Sequence, residues 1–160
     1  MNPKITVRLA YHNDEAVVLD IIERTEFFRP VEIDIAREVF VEAAQAKESC
    51  TYQSFVAEIN KKVVGWICFG VTPCTLGTYD IYWIAVDSST QRQGIGRYML
   101  DFAQKKIEEQ KGRLMVIETS GTPRYEPTQQ FYEKNGFFQA ARIPDFYAPK
   151  DDKLIYLKTL

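Results

Sequence analysis

The apolar residues of this chain change period along its length, and that change limits the fold more than any other feature. Val17, Val18, Ile21 and Ile22, and then Ile35, Ala36, Val39, Phe40, Ala43 and Ala44, recur at helical spacing. Glu26-Phe27-Phe28-Arg29-Pro30 separates the two runs, and Asn13 or Asp14 can cap the first. From Tyr52 the pattern becomes β-like. Tyr52 to Ile59 and Val63 to Val71 flank Asn60-Lys61-Lys62, which predicts a hairpin, and Thr78 to Val86 adds a third strand after Leu76-Gly77. These three strands predict an antiparallel meander. Ahead of the helices, Ile5, Val7 and Leu9 alternate with polar residues and predict a short strand. The helical period returns with Ile95, Tyr98, Met99, Phe102, Ala103 and Ile107, and Gly112 ends that helix. Leu114 to Thr119 is a strand, and Pro127 to Asn135 is a short helix with Gly136 at its left-handed cap. Phe137 to Ile143 and Leu154 to Leu160 close the pattern. The order β-α-α-β-β-β-α-β-α-β-β predicts a mixed α/β (α+β) domain with a largely antiparallel N-terminal half and one crossover helix.

At 160 residues the chain fits one domain, residues 1–160, without an internal linker or repeat. A chain of that size buries roughly 70% of its unfolded surface, so one core is enough without staples. The 46% hydrophobic and 26% charged residues exclude a disordered composition. A net charge of −2 argues against nucleic acid as the main partner. The opening MNPKITVRLAYHNDEA carries no apolar run of the signal-peptide kind, and no stretch reaches the apolar length of a membrane span. Cys50, Cys68 and Cys74 are too few and too odd for a disulfide framework and suit a reducing cytoplasm. The one histidine, His12, leaves little material for a His-based zinc site or a Ser-His-Asp triad. It reads as a surface residue beside the start of a helix.

The most informative segment is Ile84-Ala85-Val86-Asp87-Ser88-Ser89-Thr90-Gln91-Arg92-Gln93-Gly94-Ile95-Gly96-Arg97. A strand feeds a loop, and the loop opens a helix whose first amides have no intrahelical acceptor. Those amides and the helix dipole together make an anion site. Gly94 and Gly96 allow close backbone approach, while Arg92 and Arg97 add charge at the rim. A solvated turn would use the same glycines. Met99 occupies the third small position of a dinucleotide fingerprint, and no Gly-Lys-Ser/Thr follows, so neither a Rossmann nor a Walker loop fits.

Gln91-Arg92-Gln93-Gly94-Ile95-Gly96 resembles the Gln/Arg-x-x-Gly-x-Gly/Ala loop of the GNAT superfamily of acyl-CoA-dependent N-acetyltransferases. Phe131-Tyr132-Glu133-Lys134-Asn135-Gly136-Phe137 resembles that family's Phe-Tyr-x-x-x-Gly-Phe segment. The resemblance covers Ile5 to Leu157 and implies a central mixed, largely antiparallel sheet of about seven strands flanked by about four helices. It implies acetyl-CoA as cosubstrate, no metal, and a primary amine as acceptor. The pyrophosphate would sit on the amides of Gln91, Arg92, Gln93, Gly94, Ile95 and Gly96, beside Arg97. The pantetheine arm would pair with the backbone of Ile84, Ala85 and Val86, where this strand splays from Leu114 to Thr119. One departure stands out: Ser120-Gly121-Thr122-Pro123-Arg124-Tyr125-Glu126-Pro127 replaces the asparagine that often opens the family's last helix.

Acetyl transfer to an amine poses two proton problems. A lysine-like amine has a pKa of about 10.4 and an α-amine about 8, so a base must help deprotonate either, and the leaving thiolate gains from an acid. Glu118, near the end of its strand, resembles the strand glutamate proposed as base in N-terminal protein acetyltransferases of this family, and Asp80 is its rival. Tyr132 is the acid that the family motif implies. Cys68 and Cys74 have no histidine nearby in sequence, so direct attack in a ternary complex is expected over an acyl-enzyme. In this fold the acceptor site is usually framed by Thr25 to Val31 and Pro144 to Lys153. There Phe27, Phe28, Phe146 and Tyr147 offer an aromatic wall, and Glu26, Glu32 and Asp145 could hold a cationic amine. A polyamine, amino acid, aminoglycoside or protein N-terminus fits about equally, and homodimerisation is left open. A non-catalytic acyl-CoA-binding sensor is the competing reading.

Overall fold

The computed structural model describes residues 4–45 and 51–160, so Cys50 lies outside the described residues. The elements run β1 (Ile5–Leu9), α1 (Glu15–Arg24), α2 (Pro30–Ala44), β2 (Tyr52–Ile59), β3 (Lys62–Val71), β4 (Thr78–Val86), α3 (Ile95–Glu109), β5 (Leu114–Ser120), α4 (Glu126–Lys134), β6 (Phe138–Ala148) and β7 (Asp151–Thr159). Short 3-10 turns at His12–Asp14, Ser88–Thr90 and Pro123–Tyr125 precede α1, α3 and α4. The seven strands form one sheet in the order β1-β2-β3-β4-β5-β7-β6. β1–β2, β2–β3, β5–β7 and β6–β7 are antiparallel, whereas β4–β5 is parallel. A parallel step needs a crossover, and α3 supplies it. The mixed, largely antiparallel sheet with four helices is therefore the architecture that the periods predict.

The chain divides into two compact units: residues 1–70 with Trp83–Ala103, and Val71–Tyr82 with Gln104–Leu160. In the first, β3 is buried from Val63 to Gly70, as a strand covered on both faces must be. Trp66 is its centre. Its ring lies 5.7 Å from Phe40 of α2 and 6.0 Å from Trp83 of β4, and its indole N–H donates to the Ser54 hydroxyl at 2.8 Å. Val18, Leu19, Ile21 and Ile22 of α1 close this core. The β2–β3 hairpin turns on Asn60 and Lys61, both left-handed, so Lys62 already belongs to β3.

Several residues placed inside by periodicity face outward. Leu9 and Ile35 are 54% and 48% exposed, because β1 is an edge strand and α2 buries only the narrow stripe of Ala36 and Phe40. Tyr98 is 45% exposed, since the inward stripe of α3 runs through Ile95, Met99, Leu100 and Ala103. Asp14 stands at the cap position of α1 but bonds no helix amide. Its carboxylate accepts from Arg8 at 2.7 and 2.9 Å and from the Tyr11 amide at 2.8 Å, and the Arg8 hydrogen bonds hold it below the usual carboxylate range.

Asp87 anchors the loop between β4 and α3. It is 1% exposed, its amide donates to Val64 O at 2.9 Å, and its carboxylate accepts from the Ser89 amide at 2.9 Å and hydroxyl at 2.8 Å. Arg24 of α1 approaches the same carboxylate at 3.3 Å. Burial opposes ionisation, but the Ser89 donors and the charges of Arg24 and Lys62 outweigh it and leave the Asp87 carboxyl below its ordinary value.

In the second unit, α4 ends in a Schellman motif. The Phe137 amide donates to Tyr132 O at 3.1 Å and the Gly136 amide to Glu133 O at 3.0 Å, with Gly136 at φ +86°. The hydrophobic contact that accompanies this motif is the Phe137 ring, 6.1 Å from that of Tyr132. The last two strands are longer than their sequence pattern: β6 extends to Ala148 and β7 begins at Asp151. Phe138 is 54% exposed on edge strand β6.

Two stability predictions follow from these ends. Gly136→Ala places a Cβ on a left-handed residue at a cost of about 1–2 kcal/mol, which should lower the melting temperature by about 3 °C or more. Asp87→Asn should destabilise the fold by about 1–3 kcal/mol at neutral pH, as loss of a charge-assisted buried acceptor does. The folded pKa of Asp87 lies below the unfolded value of 3.8, so its stabilisation is complete above that value and is lost as pH falls through the folded one. The gap between wild type and variant in urea titrations should therefore narrow below that pH.

Candidate active site

The loop after β4 leaves its backbone open. Gln91, Arg92, Gln93 and Gly94 are exposed, while Ile95 behind them is buried and fixes the helix start. Gly94 has φ +80°, and a Cβ built on it would meet nothing within 4 Å. The residue is needed there for its backbone conformation, and its outward side stays clear for a ligand. Gly94 O accepts from the Tyr98 amide at 2.9 Å, so the residue sits at the head of α3 with the first helix amides beyond it. Arg97 is exposed beside Asp101 at 3.6 Å, and Arg92 is exposed and left-handed at φ +64°. Ala85 is buried and Ile84 and Val86 are half-buried on β4. This loop can hold an anion by backbone donors and dipole. Sequence reasoning missed Asp87 as its anchor, although Asp-Ser-Ser is a recognisable side-chain-to-backbone turn signal.

Tyr132 is 5% exposed among Phe131, Phe137 and Tyr156, with ring centroids at 5.6, 6.1 and 5.8 Å. Burial, with smaller contributions from Tyr125 and Tyr156, pushes its phenol above the ordinary tyrosine value. The phenol is protonated at physiological pH. The unusual 120–127 connection is well tied: Ser120 Oγ donates to Asp151 at 2.6 Å, accepts from the Thr122 amide at 3.1 Å, and Gln129 of α4 donates to Ser120 O at 3.0 Å.

The ladder between β4 and β5 pairs Thr78↔Leu114 through Ile81↔Ile117 and stops. Beside its end lies a cavity of about 290 Å³ lined by Asp80, Ile81, Tyr82, Val116, Glu118 and Tyr147. Both carboxylates that the chemistry singles out, Glu118 and Asp80, therefore line one cavity. Asp80 accepts from the Thr72 hydroxyl at 2.6 Å. Glu118 is not isolated: its carboxylate lies 2.6 Å from Lys153 Nζ. The sequence carries no sign of that pair, which depends on the strand register that sets Ser120 opposite Lys153. Lys153 is itself 13% exposed and lies 3.9 Å from the Phe146 ring centroid.

The acceptor-side residues divide. Glu32 accepts from the Arg29 amide at 2.7 Å and Asp145 from the Lys150 amide at 2.6 Å, so both close local turns. Phe28 packs on Trp83 at 5.1 Å. Tyr147 does line the cavity, and Phe146 covers Lys153. His12 is exposed, as its position suggested, 3.7 Å from Glu15. Among the described residues no group of three or more His, Cys, Asp and Glu is arranged to hold a metal, and no helix is long and apolar enough to cross a membrane.

Comparison with known proteins agrees with this fold. The structure superimposes on a GNAT-family protein from Desulfovibrio desulfuricans with a TM-score of 0.93 and 38% identity, over 98% of this chain and 99% of that one. It shares its fold with the ribosomal-protein-S18-alanine N-acetyltransferase of Escherichia coli (TM-score 0.78, 22% identity, 98% and 94% covered). The same holds for yncA of Salmonella typhimurium, solved with its cofactor acetyl-CoA (TM-score 0.75, 19% identity, 98% and 94% covered). A comparison with curated protein sequences gave no significant match. Residues 50–139 match the model of the acetyltransferase (GNAT) domain, and the chain therefore belongs to the GNAT acetyltransferase family.

Proposed function

We propose that residues 1–160 work as one acetyl-CoA-dependent N-acetyltransferase domain, in which a primary amine attacks the thioester directly. The observation that carries this reading is the open, glycine-turned backbone at the head of α3, where Gly94 faces clear space. Gln91 to Gly96 would hold the pyrophosphate by their amides, with Arg92 and Arg97 at the rim. The backbone of Ile84, Ala85 and Val86 would bond the pantetheine arm. These residue types fit the ligand, since they offer amides and cations to the phosphates and a strand edge to an amide-bearing chain.

The proton steps balance as follows. The acceptor ammonium gives a proton to a carboxylate, Glu118 or its neighbour Asp80. The neutral nitrogen forms a C–N bond at the acetyl carbonyl. The C–S bond breaks, sulfur leaves with the electron pair, and Tyr132 protonates it. The second nitrogen proton then leaves and restores the Tyr132 phenol. Tyr132 carries its proton at neutral pH, as the acid must, and Cys68, fully buried, is unsuited to carry the acyl group. Holding the two reactants together supplies much of the acceleration.

Two variants test the reading. Tyr132→Phe keeps the ring and should cost about 100-fold in kcat, the range of a general acid. Acetyl-CoA affinity should change little, and activity within a few-fold of wild type would end the acid assignment. Gly94→Val should weaken acetyl-CoA binding by about tenfold or more in calorimetry, through backbone strain and a branched side chain in the phosphates' space. Unchanged affinity in a folded variant would remove this loop from the site. Thiol release across an amine panel, set against binding alone, separates an enzyme from a sensor.

A further inference from the structure

The cavity at the end of the β4–β5 ladder is lined by two carboxylates, Asp80 and Glu118, and the cation Lys153 stands against the second of them. Val116 and Glu118 alternate onto one face of β5, Asp80 stands opposite Val116, and Lys153 stands opposite Ser120, the next residue on that face. Asp80, Glu118 and Lys153 therefore project from the same face of the sheet. The Lys153 ammonium lies 2.6 Å from Glu118 and 5.9 Å from the Tyr147 ring, so it sits against two residues that line the cavity. It is held there by the Phe146 ring at 3.9 Å.

We propose that this cavity selects an acceptor bearing a carboxylate near its amine, an amino-acid-like zwitterion that inserts into the Glu118–Lys153 ion pair. The inference rests on the acetyltransferase reading and names its acceptor class. The ammonium of the incoming molecule takes Glu118 and its carboxylate takes Lys153, so charges alternate and no buried charge loses its partner. A simple monoamine that takes Glu118 brings a second cation towards Lys153 and offers it no anion. A volume of about 290 Å³ admits a single amino acid, with Tyr82 and Tyr147 among the lining residues. Insertion also brings the amine onto Glu118, which can then accept its proton.

The test compares kcat/KM for phenylalanine, leucine and methionine with that for their amides and for spermidine, at saturating acetyl-CoA. Wild type should prefer the free acid over its amide by about tenfold or more, the usual discrimination of a charge-assisted hydrogen bond. In Lys153→Met or Lys153→Gln that ratio should fall towards one. Saturation-transfer NMR of phenylalanine against phenylalaninamide reads the same preference in binding without turnover. Equal use of acid and amide by wild type, or a ratio that survives loss of the lysine charge, overturns the proposal while leaving the acetyltransferase reading intact. Failure to bind acetyl-CoA or to acetylate any amine overturns that reading, and this inference with it.

Discussion

The parallel ladder between β4 and β5 ends at Ile81↔Ile117, and the chemistry of the second unit hangs on that early stop. Parallel strands can stay paired only while their backbone groups face one another, so beyond the stop β5 depends on β7 alone. The β5–β7 ladder runs on to Ser120↔Lys153 and keeps β5 paired past the end of its parallel partner. Glu118 is thereby left exposed on a strand that is otherwise well supported, with a cavity beside it. A carboxylate on a rigid strand next to a space for a small molecule is better placed for proton transfer than one on a loop.

The other recurring problem is the helix end. Each α-helix leaves unpaired amides at its start and carbonyls at its finish, and these must find partners or solvent. At α4 the finish is closed by Gly136 and Phe137, and the same Phe137 ring packs on Tyr132. The Tyr-x-x-x-Gly-Phe pattern is thus one structural unit that locks the position of the phenol. At α3 the start is left open towards solvent, while buried Asp87 ties the preceding turn to Ser89 and Arg24. One end is sealed to hold a side chain still, and the other is left available to an anion.

Glu118 shows how tertiary structure changes the meaning of a residue found by sequence. As a strand-end carboxylate it reads as a base. In the fold it is one half of an ion pair whose other half, Lys153, is largely buried over an aromatic ring. Separating such a pair without replacing either partner leaves Lys153 with an uncompensated charge. Glu32 and Asp145 changed in the opposite direction, from candidate ligands for an amine to the caps of their own turns.

The sequence by itself determined the elements, since apolar period and turn residues are local properties. Tyr52–Ile59 and Thr78–Val86 form over the residues that the pattern marks, and Gly136 is left-handed where it was placed. The open loop at the head of α3 and the buried tyrosine were equally legible, because strand-loop-helix and Tyr-x-x-x-Gly-Phe are short motifs with local causes. Only the tertiary structure decided which apolar residues face out, as with Leu9 on its edge strand, and how far β6 and β7 extend. It alone paired Glu118 with Lys153 and set Asp80 on the same cavity, because strand register joins residues that are remote along the chain. A period reports which way a side chain points on its own element; it carries no information about what another strand brings opposite.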